Sequence, residues 1–591
     1  MSTSPSAVCS EKAPARSIPP TPDGPLTYQS PLTAIKKRAA QPLLVAMFAV
    51  QSLLSSLPLA FPVGDNLPTS PKARYRSHYR CLGPDALLDE GRLANLSDFE
   101  IALHLIDFSP VERIVAQGYY VPSNKGQVPF HPVSMFLCIC LRRELKLGWR
   151  ALAKLLAGEH GAGWRTLFGF REGDTPSASG LRYFFNTVQP EVFDELCPRF
   201  IELLREHGLF PERSTYPNDP EARGITVTQD GMLHPALSRP SCQLATDECY
   251  QPLAQAAPEP PTAQEAAPTS QTTTQENPIS GRHCRAREKG LPGCACDTPA
   301  CAEQCKRASV LDPDARFIHY EGHNNKQGTT EATDKEGKNQ GTDVFGFRSV
   351  ADRGLDDRFA VAWNMVSGLY PANTDERTIF VERLLRLRKE FPDLKIGEWI
   401  DDSGVGYDKC LEAIWDLGAL RMVDIRHHES DNDPEKCVQR GYDANGHPLC
   451  PHGYHLHSNG YDYDLRRRKY VCRQTCRTEP LREGEAICPV ADCPYLNDGS
   501  LGFIVNVGKT LPDGTIRLSR EIPYGSEEWD RRYGRRNVSE SRNGQIEGMG
   551  LKRMKSYGTP RDTKEIQVGD FLIDLRTLGR LVRQATSLWA E

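Results

Sequence analysis

Residues 395–425 read KIGEWIDDSGVGYDKCLEAIWDLGALRMVDI, and the order of element types in this stretch decides the fold. It predicts a strand over Lys395–Ile400, a helix over Tyr407–Leu417 and a second strand over Ala419–Ile425. A strand, a helix and a strand in succession are typical of an α/β domain. The sequence therefore predicts an α/β fold built around a mixed sheet.

Predicted strands and helices continue on both sides of this stretch. Upstream, the apolar spacing of Glu376–Phe391 predicts an amphipathic helix, and Val344–Ala351 and Arg358–Val366 have the composition of strands. Further upstream, the β-branched run ITVTQDG at Ile225–Gly231 predicts a strand that ends in a carboxylate. Downstream, the chain is predicted to be helical from Glu527 to about Ile546.

Helical signals dominate residues 97–208, before the α/β part begins. Val133–Leu147 and Arg150–Leu156 predict two helices, and Thr175-Pro176-Ser177 is a good start for a third over Gly180–Asn186. Short helices joined by glycine turns fit a helix-turn-helix, in which Arg182 would contact DNA. An all-helical packing domain fits the pattern equally well.

Bulk composition limits the class of protein. The chain has 591 residues, 39% of them hydrophobic and 25% charged, which indicates two or three ordinary folded domains. A net charge of −5 and a pI of about 6.3 argue mildly against a dedicated nucleic-acid module. Basic residues do gather locally, at 466–469 and 531–536, but a solvated face is the plain interpretation of each run.

The 19 cysteines are concentrated in two regions. A long chain with an odd cysteine count does not fit a small disulfide-stabilised scaffold. Both clusters are dense enough for tetrahedral zinc, although neither has a paired C-x2-C motif, so structural zinc and reduced thiols both stay open. The candidate ligands are Cys294, Cys296, Cys301 and Cys305 in the first cluster and Cys472, Cys476, Cys488 and Cys493 in the second.

Composition shifts divide the chain. We expect a partly disordered extension over 1–80, a helical domain over 81–210 that would bind DNA if it is a helix-turn-helix, an α/β core over 222–425, a Cys-rich insertion over 426–520 and a C-terminal helical part of the core over 521–591. The core carries an insertion at about 234–310, whose Pro/Gln/Thr/Ala-rich segment 251–281 is predicted to be disordered. The apolar stretch 43–63 is too broken by polar residues to predict a membrane span.

Three carboxylates have the placement that metal-dependent phosphoryl transfer requires. Such chemistry uses Asp and Glu oxygens that converge on Mg²⁺ or Mn²⁺, because hard cations prefer oxygen ligands. Asp230 ends a predicted strand, and Asp402 follows another and precedes a glycine turn. Asp401 should face the opposite way, so we favour Asp402 while the reverse assignment stays open.

The third carboxylate is Glu540. Tyr533, Arg536 and Glu540 are spaced i, i+3 and i+7, which places them on one face of a predicted helix. An acid that binds metal, an arginine that contacts phosphate and a tyrosine that positions the strand would make a coherent site. A solvated helix face is the plain alternative.

Several motifs, and the order in which they occur along the chain, resemble those of a known family. The first carboxylate lies in VTQDG, the second in DDSGVGYDKCLEAIWDLGALRMV and the third in YGRRNVSE, and the helical part contains PFHPVSMFLCICLRRELKLGWRALAKLL and TPSASGLRYFF. Over most of residues 100–590 the chain resembles bacterial insertion-sequence transposases of the IS4, IS5 and IS1182 type. YGRRNVSE fits their Tyr-x2-Arg-x3-Glu signature.

The resemblance implies an RNase H-like catalytic core whose DDE triad is Asp230, Asp402 and Glu540. These three residues would bind Mg²⁺ or Mn²⁺, and Tyr533 and Arg536 would contact DNA. The implied partners are double-stranded DNA (the terminal inverted repeats of the element, and target DNA) and a second copy of the chain once assembled on DNA. The implied location is the bacterial cytoplasm, at the nucleoid.

The chain departs from the family at one position of the signature. Relatives carry a lysine seven residues after the glutamate, where this chain has Glu547. Three functions remain open: an active transposase, a DNA nuclease of the same fold, and a DNA-binding relative without catalytic activity. The complete acidic triad disfavours the last.

Overall fold

The computed structural model describes residues 59–62, 75–83, 93–116, 119, 128–238, 241–242, 279–280, 283–284, 307–309, 311–320, 342–425, 441–443, 446–462, 464–475, 487–496, 502–508 and 520–590. The first cysteine cluster lies outside these residues. So do the apolar stretch 43–63, except for 59–62, and the segment 251–281 predicted to be disordered, except for 279–280.

The N-terminal part of the described chain is helical, as predicted. Its helices are α1 (Asp98–Leu105), α2 (Glu112–Val115), α3 (Pro132–Glu144), α4 (Trp149–Ala157), α5 (Ala162–Phe168), α6 (Ala178–Thr187), α7 (Pro190–Asp194) and α8 (Leu196–Glu206). Short 3₁₀ turns lie at Ser109–Val111 and Glu159–Gly161, and two short parallel strands, β1 (Leu59–Ala60) and β2 (Ile106–Asp107), close one edge. Helix α3 is buried along nearly its whole length, so it forms the centre of this part.

A mixed sheet forms the centre of the second part, which confirms the predicted α/β class. Its strands are β3 (Ile225–Pro235), β4 (Arg316–Tyr320), β5 (Thr342–Asp356), β6 (Val361–Pro371), β7 (Ile396–Asp401) and β8 (Leu420–Val423). The order is β6-β5-β3-β7-β8, and β4 also pairs with β5. Strands β6, β5 and β3 are antiparallel neighbours, whereas β7 and β8 run parallel to β3.

Helices cover both faces of the sheet. They are α9 (Glu376–Glu390), α10 (Asp408–Asp416), α11 (Glu527–Tyr533), α12 (Arg536–Gly548) and α13 (Thr559–Ala590). On one face, Arg383 of α9 forms a buried ion pair with Asp352 of β5 at 3.2 Å. On the other, Arg353 of β5 donates from Nη1 to the carbonyl of Ser539 in α12 at 3.0 Å. Successive residues of β5 therefore bind opposite layers, as the alternation of a strand requires.

Helix α13 joins the sheet to the N-terminal helices. Near its start, Glu565 forms buried ion pairs with both Arg142 and Arg143 of α3. About two and a half turns further on, Asp574 accepts hydrogen bonds from the backbone and side-chain nitrogens of Asn364 in β6, both at 3.0 Å. Breaking a buried pair leaves an uncompensated charge, so these contacts fix the two parts against each other.

The second Cys-rich region contains a small antiparallel sheet. Its strands are β9 (His457–Asp462), β10 (Arg467–Val471) and β11 (Ile504–Val507). Around it pack Ile425, Tyr442 and Tyr470, a core separate from that of the main sheet. The remaining two-residue strands pair Ser241–Cys242 with Arg307–Ala308 and Ile279–Ser280 with His283–Cys284.

Two details of the sequence prediction are wrong. Strand β3 does not end at Asp230 but continues to Pro235, because β5 pairs with it as far as Gly346. The helix predicted over Glu527–Ile546 is two helices, interrupted at Gly534 and Arg535. Tyr533 and Arg536 therefore lie at the end of one helix and the start of the next, and not on one continuous face.

Candidate active site

The register between β3 and β7 brings the first two carboxylates together. Thr226 lies opposite Glu398, and their side chains form a hydrogen bond at 2.8 Å on the α12 face of the sheet. Asp230 and Asp402 each follow four residues later, which returns both side chains to that same face. Strand β7 ends at Asp401, whereas its parallel neighbour β3 continues to Pro235. Asp230 therefore lies on β3 beside the point where β7 ends.

Asp230 is held in place from two directions. Its side chain is 9% exposed, and it accepts hydrogen bonds from the Gly231 backbone at 2.9 Å and from Asn543 Nδ2 at 2.7 Å. Burial raises the pKa of Asp230 to about 6, against the opposing effect of Arg536. The carboxylate is therefore fixed in position and is costly to keep charged without a nearby cation.

Asp401 and Asp402 point to opposite sides of the sheet. Asp402 caps the 3₁₀ turn Ser403–Val405 by accepting from the Gly404 backbone at 2.8 Å. Asp401 lies on the other face, where it accepts from Trp399 Nε1 at 3.3 Å. Burial, together with the charge of Asp402, raises the pKa of Asp401 well above its usual range.

Glu540 is placed by helix α12 on the same side as Asp230 and Asp402. All three carboxylates contact the guanidinium of Arg536, one turn before Glu540 on that helix. The distances are 2.7 Å from Nη1 to Glu540 Oε1, 3.3 Å from Nη2 to Asp402 Oδ2 and 3.9 Å from Nη2 to Asp230 Oδ1. Carboxylates from three distant parts of the sequence thus meet at one cation.

Tyr533 lies beside this cluster at the end of α11. Its ring stacks on Trp529 with centroids 5.9 Å apart. Burial raises its pKa, and the charges of Asp424 and Asp402 raise it further, so the phenol stays protonated at neutral pH. The phenol is therefore a hydrogen-bond donor at the edge of the cluster.

Asn543 is a site residue that the sequence interpretation missed. It lies three residues after Glu540, on the same face of α12, and donates to Asp230 Oδ2 and to the Gly231 carbonyl at 2.7 and 3.2 Å. The helical period counted forward from Arg536 and Glu540 would have found it. The contact that gives it a role comes from β3, which no local pattern shows.

The basic run 531–536 is not a solvated face. Arg532 is buried and the side chain of Arg535 is 10% exposed, and both form ion pairs with Glu398 beneath the carboxylate cluster. Both guanidiniums also stack on the ring of Tyr216, at 4.0 and 4.5 Å from its centroid. Arg531 alone of these four arginines is largely exposed, at 60%. Most of this run therefore holds α11 and α12 on the sheet.

The basic run 466–469 also makes internal contacts. Arg466 stacks on Trp415 at 4.2 Å, and Arg468 donates to Ser458 Oγ at 2.7 Å and to the carbonyl of Glu521. Arg467 is 3.7 Å from Asp462. Arg466 ties the small sheet to helix α10, and Arg468 ties it to Glu521, which pairs with Arg421 of β8. A DNA contact by this run stays a prediction.

A cleft opens directly beside the carboxylates. It has a volume of about 460 Å³, and Asp230, Asp401 and Asp402 lie on its wall with apolar side chains that include Val350 and Val405. Arg348 and Glu376, which form an ion pair, line the same cleft. A substrate group can therefore approach two of the three carboxylates from solvent.

The carboxylate cluster has the donor chemistry of a Mg²⁺ or Mn²⁺ site. All of its potential ligands are hard oxygens, Asp402 and Glu540 are about half exposed (51% and 49%), and Asp230 is already oriented. As the side chains stand, each carboxylate faces Arg536. Among the residues that the structure describes, no three acidic, His or Cys side chains lie close enough to hold an ion. The residues fit such an ion in the chemistry of their oxygen donors.

Three of the cysteines in the second cluster are described. Cys472, Cys488 and Cys493 are buried free thiols. The segments that carry them are close, since Gln474 Nε2 donates to the Val490 carbonyl at 3.0 Å. Cys476 falls outside the described residues, as do Cys294, Cys296, Cys301 and Cys305. The three described thiols do not form a metal-binding group by themselves, and structural zinc stays a prediction.

Helix α6 presents a polar face at the surface of the helical part. Ser177 caps it by accepting from the Gly180 backbone at 3.2 Å, and Leu181, Phe184 and Phe185 point inward. Arg182, Tyr183 and Asn186 are exposed, Tyr183 by 60%. The inner face packs in a core and the outer face is accessible, as DNA contact would require.

Glu547 pairs with Lys552 at 2.8 Å on the surface. No helix among the described residues has both the length and the apolar character needed to span a bilayer. Comparison of the chain with protein-family models, with curated proteins and with solved structures gives no match.

Proposed function

We propose that this chain is a DNA transposase that cuts and joins DNA strands by metal-dependent phosphoryl transfer. The observation that carries the proposal is the meeting of Asp230, Asp402 and Glu540 at one point beside an open cleft. Burying and clustering acids costs stability, because like charges repel and burial disfavours ionisation. Such an arrangement is typical of a functional site and not of a surface selected for solubility.

The sheet supports the proposed RNase H-like core. Its first strand, β3, is central, with antiparallel neighbours on one side and parallel neighbours on the other. Asp230 comes from this central strand and Asp402 from the end of its parallel neighbour. An order of this kind is consistent with an RNase H-like fold, in which the catalytic acids gather at one edge of the sheet.

Asp230, Asp402 and Glu540 would hold the catalytic ions. When bound, Mg²⁺ or Mn²⁺ would neutralise charge that develops on the phosphate and its attacking and leaving oxygens. Asn543 and the Gly231 backbone keep the Asp230 carboxylate oriented. Arg536 supplies a guanidinium that can bind a phosphate with two parallel hydrogen bonds. Tyr533 supplies a hydroxyl that can donate to the DNA backbone.

The helical part would bind the ends of the element. Arg182 lies on the exposed face of α6, where Asn186 also presents side-chain groups that can read base edges. Helix α13 ties this part to the core, so DNA bound by α6 would be held in a fixed relation to the carboxylates. A dimer assembled on paired DNA ends, and a location at the bacterial nucleoid, belong to the same proposal.

The experiment uses the gene with its natural flanking DNA on a donor plasmid and a second plasmid as target. Purified protein in Mg²⁺ should yield excised element and joined product. Glu540→Gln should abolish both. Glu547→Gln, which changes an exposed glutamate on the same helix, should abolish neither. Cleavage without any joined product would identify a nuclease of the same fold. Binding without cleavage would identify an inactive relative.

A further inference from the structure

Arg536 is the cation that the three carboxylates share. Its two terminal nitrogens reach Glu540, Asp402 and Asp230, at distances from 2.7 to 3.9 Å. Burial acts to lower the pKa of Arg536, but the charges of Asp402 and Asp230 outweigh it and raise the pKa. The guanidinium therefore stays charged, and it neutralises part of a cluster that carries three potential negative charges.

Other arginines near the cluster form ion pairs with acidic residues outside it. Arg542 forms a buried pair with Asp570 at 2.7 Å, Arg348 pairs with Glu376, and Arg535 pairs with Glu398. Among the side chains that the structure describes, the one cation that contacts all three carboxylates is Arg536. Its removal would leave Asp230, which is largely buried, without its nearest positive charge.

The position of Arg536 is suited to exchange. Its Nε–H is buried and makes no hydrogen bond within the described chain, so the acidic cluster does not satisfy the whole guanidinium. It is the first residue of α12, directly after the break at Gly534 and Arg535. Its partners Asp402 and Glu540 are half exposed, and pairs of that kind are individually weak. Among the described residues its guanidinium contacts these carboxylates and makes no hydrogen bond to the backbone of the sheet.

We propose that Arg536 and the catalytic metal ions compete for the same three carboxylates, and that metal binding releases Arg536 to a DNA phosphate. The inference rests on the proposed function and adds a coupling to it. Guanidinium and metal cannot both occupy the space between the carboxylates, since like charges repel at contact distance. A phosphate is the other anion that a guanidinium binds with two nitrogens. Metal and DNA should therefore favour each other's binding through this one side chain.

The test measures metal binding without DNA, so it does not depend on catalysis. Full-length protein is freed of divalent metal with EDTA, dialysed, and titrated with Mn²⁺ at pH 7.5, with free Mn²⁺ followed by its paramagnetic resonance signal. The variants are Arg536→Gln, Arg536→Lys and Asp402→Asn. The matched control is Arg531→Gln, which removes an exposed arginine from the preceding helix. Circular dichroism checks that each variant is folded.

Arg536→Gln should bind Mn²⁺ at least about tenfold more tightly than the wild type, within the range typical of coupled sites. Arg531→Gln should match the wild type. Arg536→Lys keeps a charge but cannot contact two carboxylates through two planar nitrogens, so its affinity should fall between the two. If the glutamine variant is too unstable to titrate, the Mn²⁺ affinity of the lysine variant tests the proposal instead. Tighter Mn²⁺ binding than in the wild type supports competition, and equal binding overturns it.

Two negative results have different meanings. If Mn²⁺ binding depends on Asp402 but Arg536→Gln binds no more tightly than the wild type, the competition is refuted and the proposed function stands. If neither protein shows Mn²⁺ binding that Asp402→Asn weakens, the metal-dependent function itself is refuted, and the competition with it.

Discussion

Replacing Asp230 by asparagine should stabilise the protein while it destroys the site. Burial raises the pKa of this carboxyl from 3.8 to about 6. The difference corresponds to about 3 kcal/mol against folding at pH 7.5, where the group is charged in both the folded and the unfolded chain. Asparagine has nearly the same shape and carries no charge, so it escapes this cost.

Part of the gain is offset by lost contacts. The attraction of Arg536 is already contained in the raised pKa, but the carboxylate also accepts hydrogen bonds from the Gly231 backbone at 2.9 Å and from Asn543 at 2.7 Å. Asparagine keeps one acceptor oxygen, so the lost interactions should cost about 1 kcal/mol. A net stabilisation of about 1–2 kcal/mol should remain at pH 7.5. Chemical denaturation in EDTA, followed by tryptophan fluorescence, should show a higher transition midpoint for Asp230→Asn.

The pH dependence identifies the cause. The folded chain holds the Asp230 proton more tightly than the unfolded chain, so the carboxyl's contribution to stability falls as pH rises from about 4 to about 6. The cost of the charge at pH 5 should be about half its value at pH 7.5, so the net advantage of asparagine, after the lost contacts, should fall to about a third. Asp402→Asn is the matched control: its half-exposed carboxylate avoids most desolvation and caps a turn, so it should not stabilise. A destabilised Asp230→Asn, or a gain that does not change with pH, would refute the reasoning.

Three further predictions concern other parts of the chain. Arg542→Met leaves Asp570 charged and buried, which should cost about 3–5 kcal/mol and lower the melting temperature far more than Arg531→Met does; equal melting temperatures would show that the buried pair is unimportant. Arg182→Ala should weaken binding to a duplex that carries the element end and reduce the slope of log K against log salt by about one; unchanged binding would remove α6 from the interface. Cys472→Ser should lower the zinc content of purified protein; zinc-free, fully folded wild type would exclude structural zinc.

The elements around the site could be predicted from the sequence because each has a strong local pattern. The β-branched run at Ile225–Gly231 predicted strand β3, and the apolar spacing of Glu376–Phe391 predicted α9, which spans Glu376–Glu390. The length of β3 could not be predicted, because its last residues are strand only through pairing with β5. The break after Tyr533 was also missed, since a single glycine in a helical pattern is usually tolerated.

The roles of charged residues could be predicted less well than their elements. Arg532, Arg535 and Arg536 are close in sequence but have different partners: two pair with Glu398 and one with the carboxylate cluster. Except for Glu540 on the same helix, those partners lie on strands, or directly after one, more than a hundred positions away. Local charge patterns show where arginines lie and not which acids approach them. Asn543 was missed for the same reason.

The central claim is that the three carboxylates carry out metal-dependent cleavage of DNA, and Asp402→Ala tests it most directly. The measurement compares wild type and variant on a duplex carrying the element end: cleavage rate in Mg²⁺, and binding affinity without divalent metal. The rate should fall by roughly a thousandfold or more while binding changes little, because the lost carboxylate would hold a catalytic ion and not the DNA. Normal cleavage by Asp402→Ala in Mg²⁺ would contradict the account.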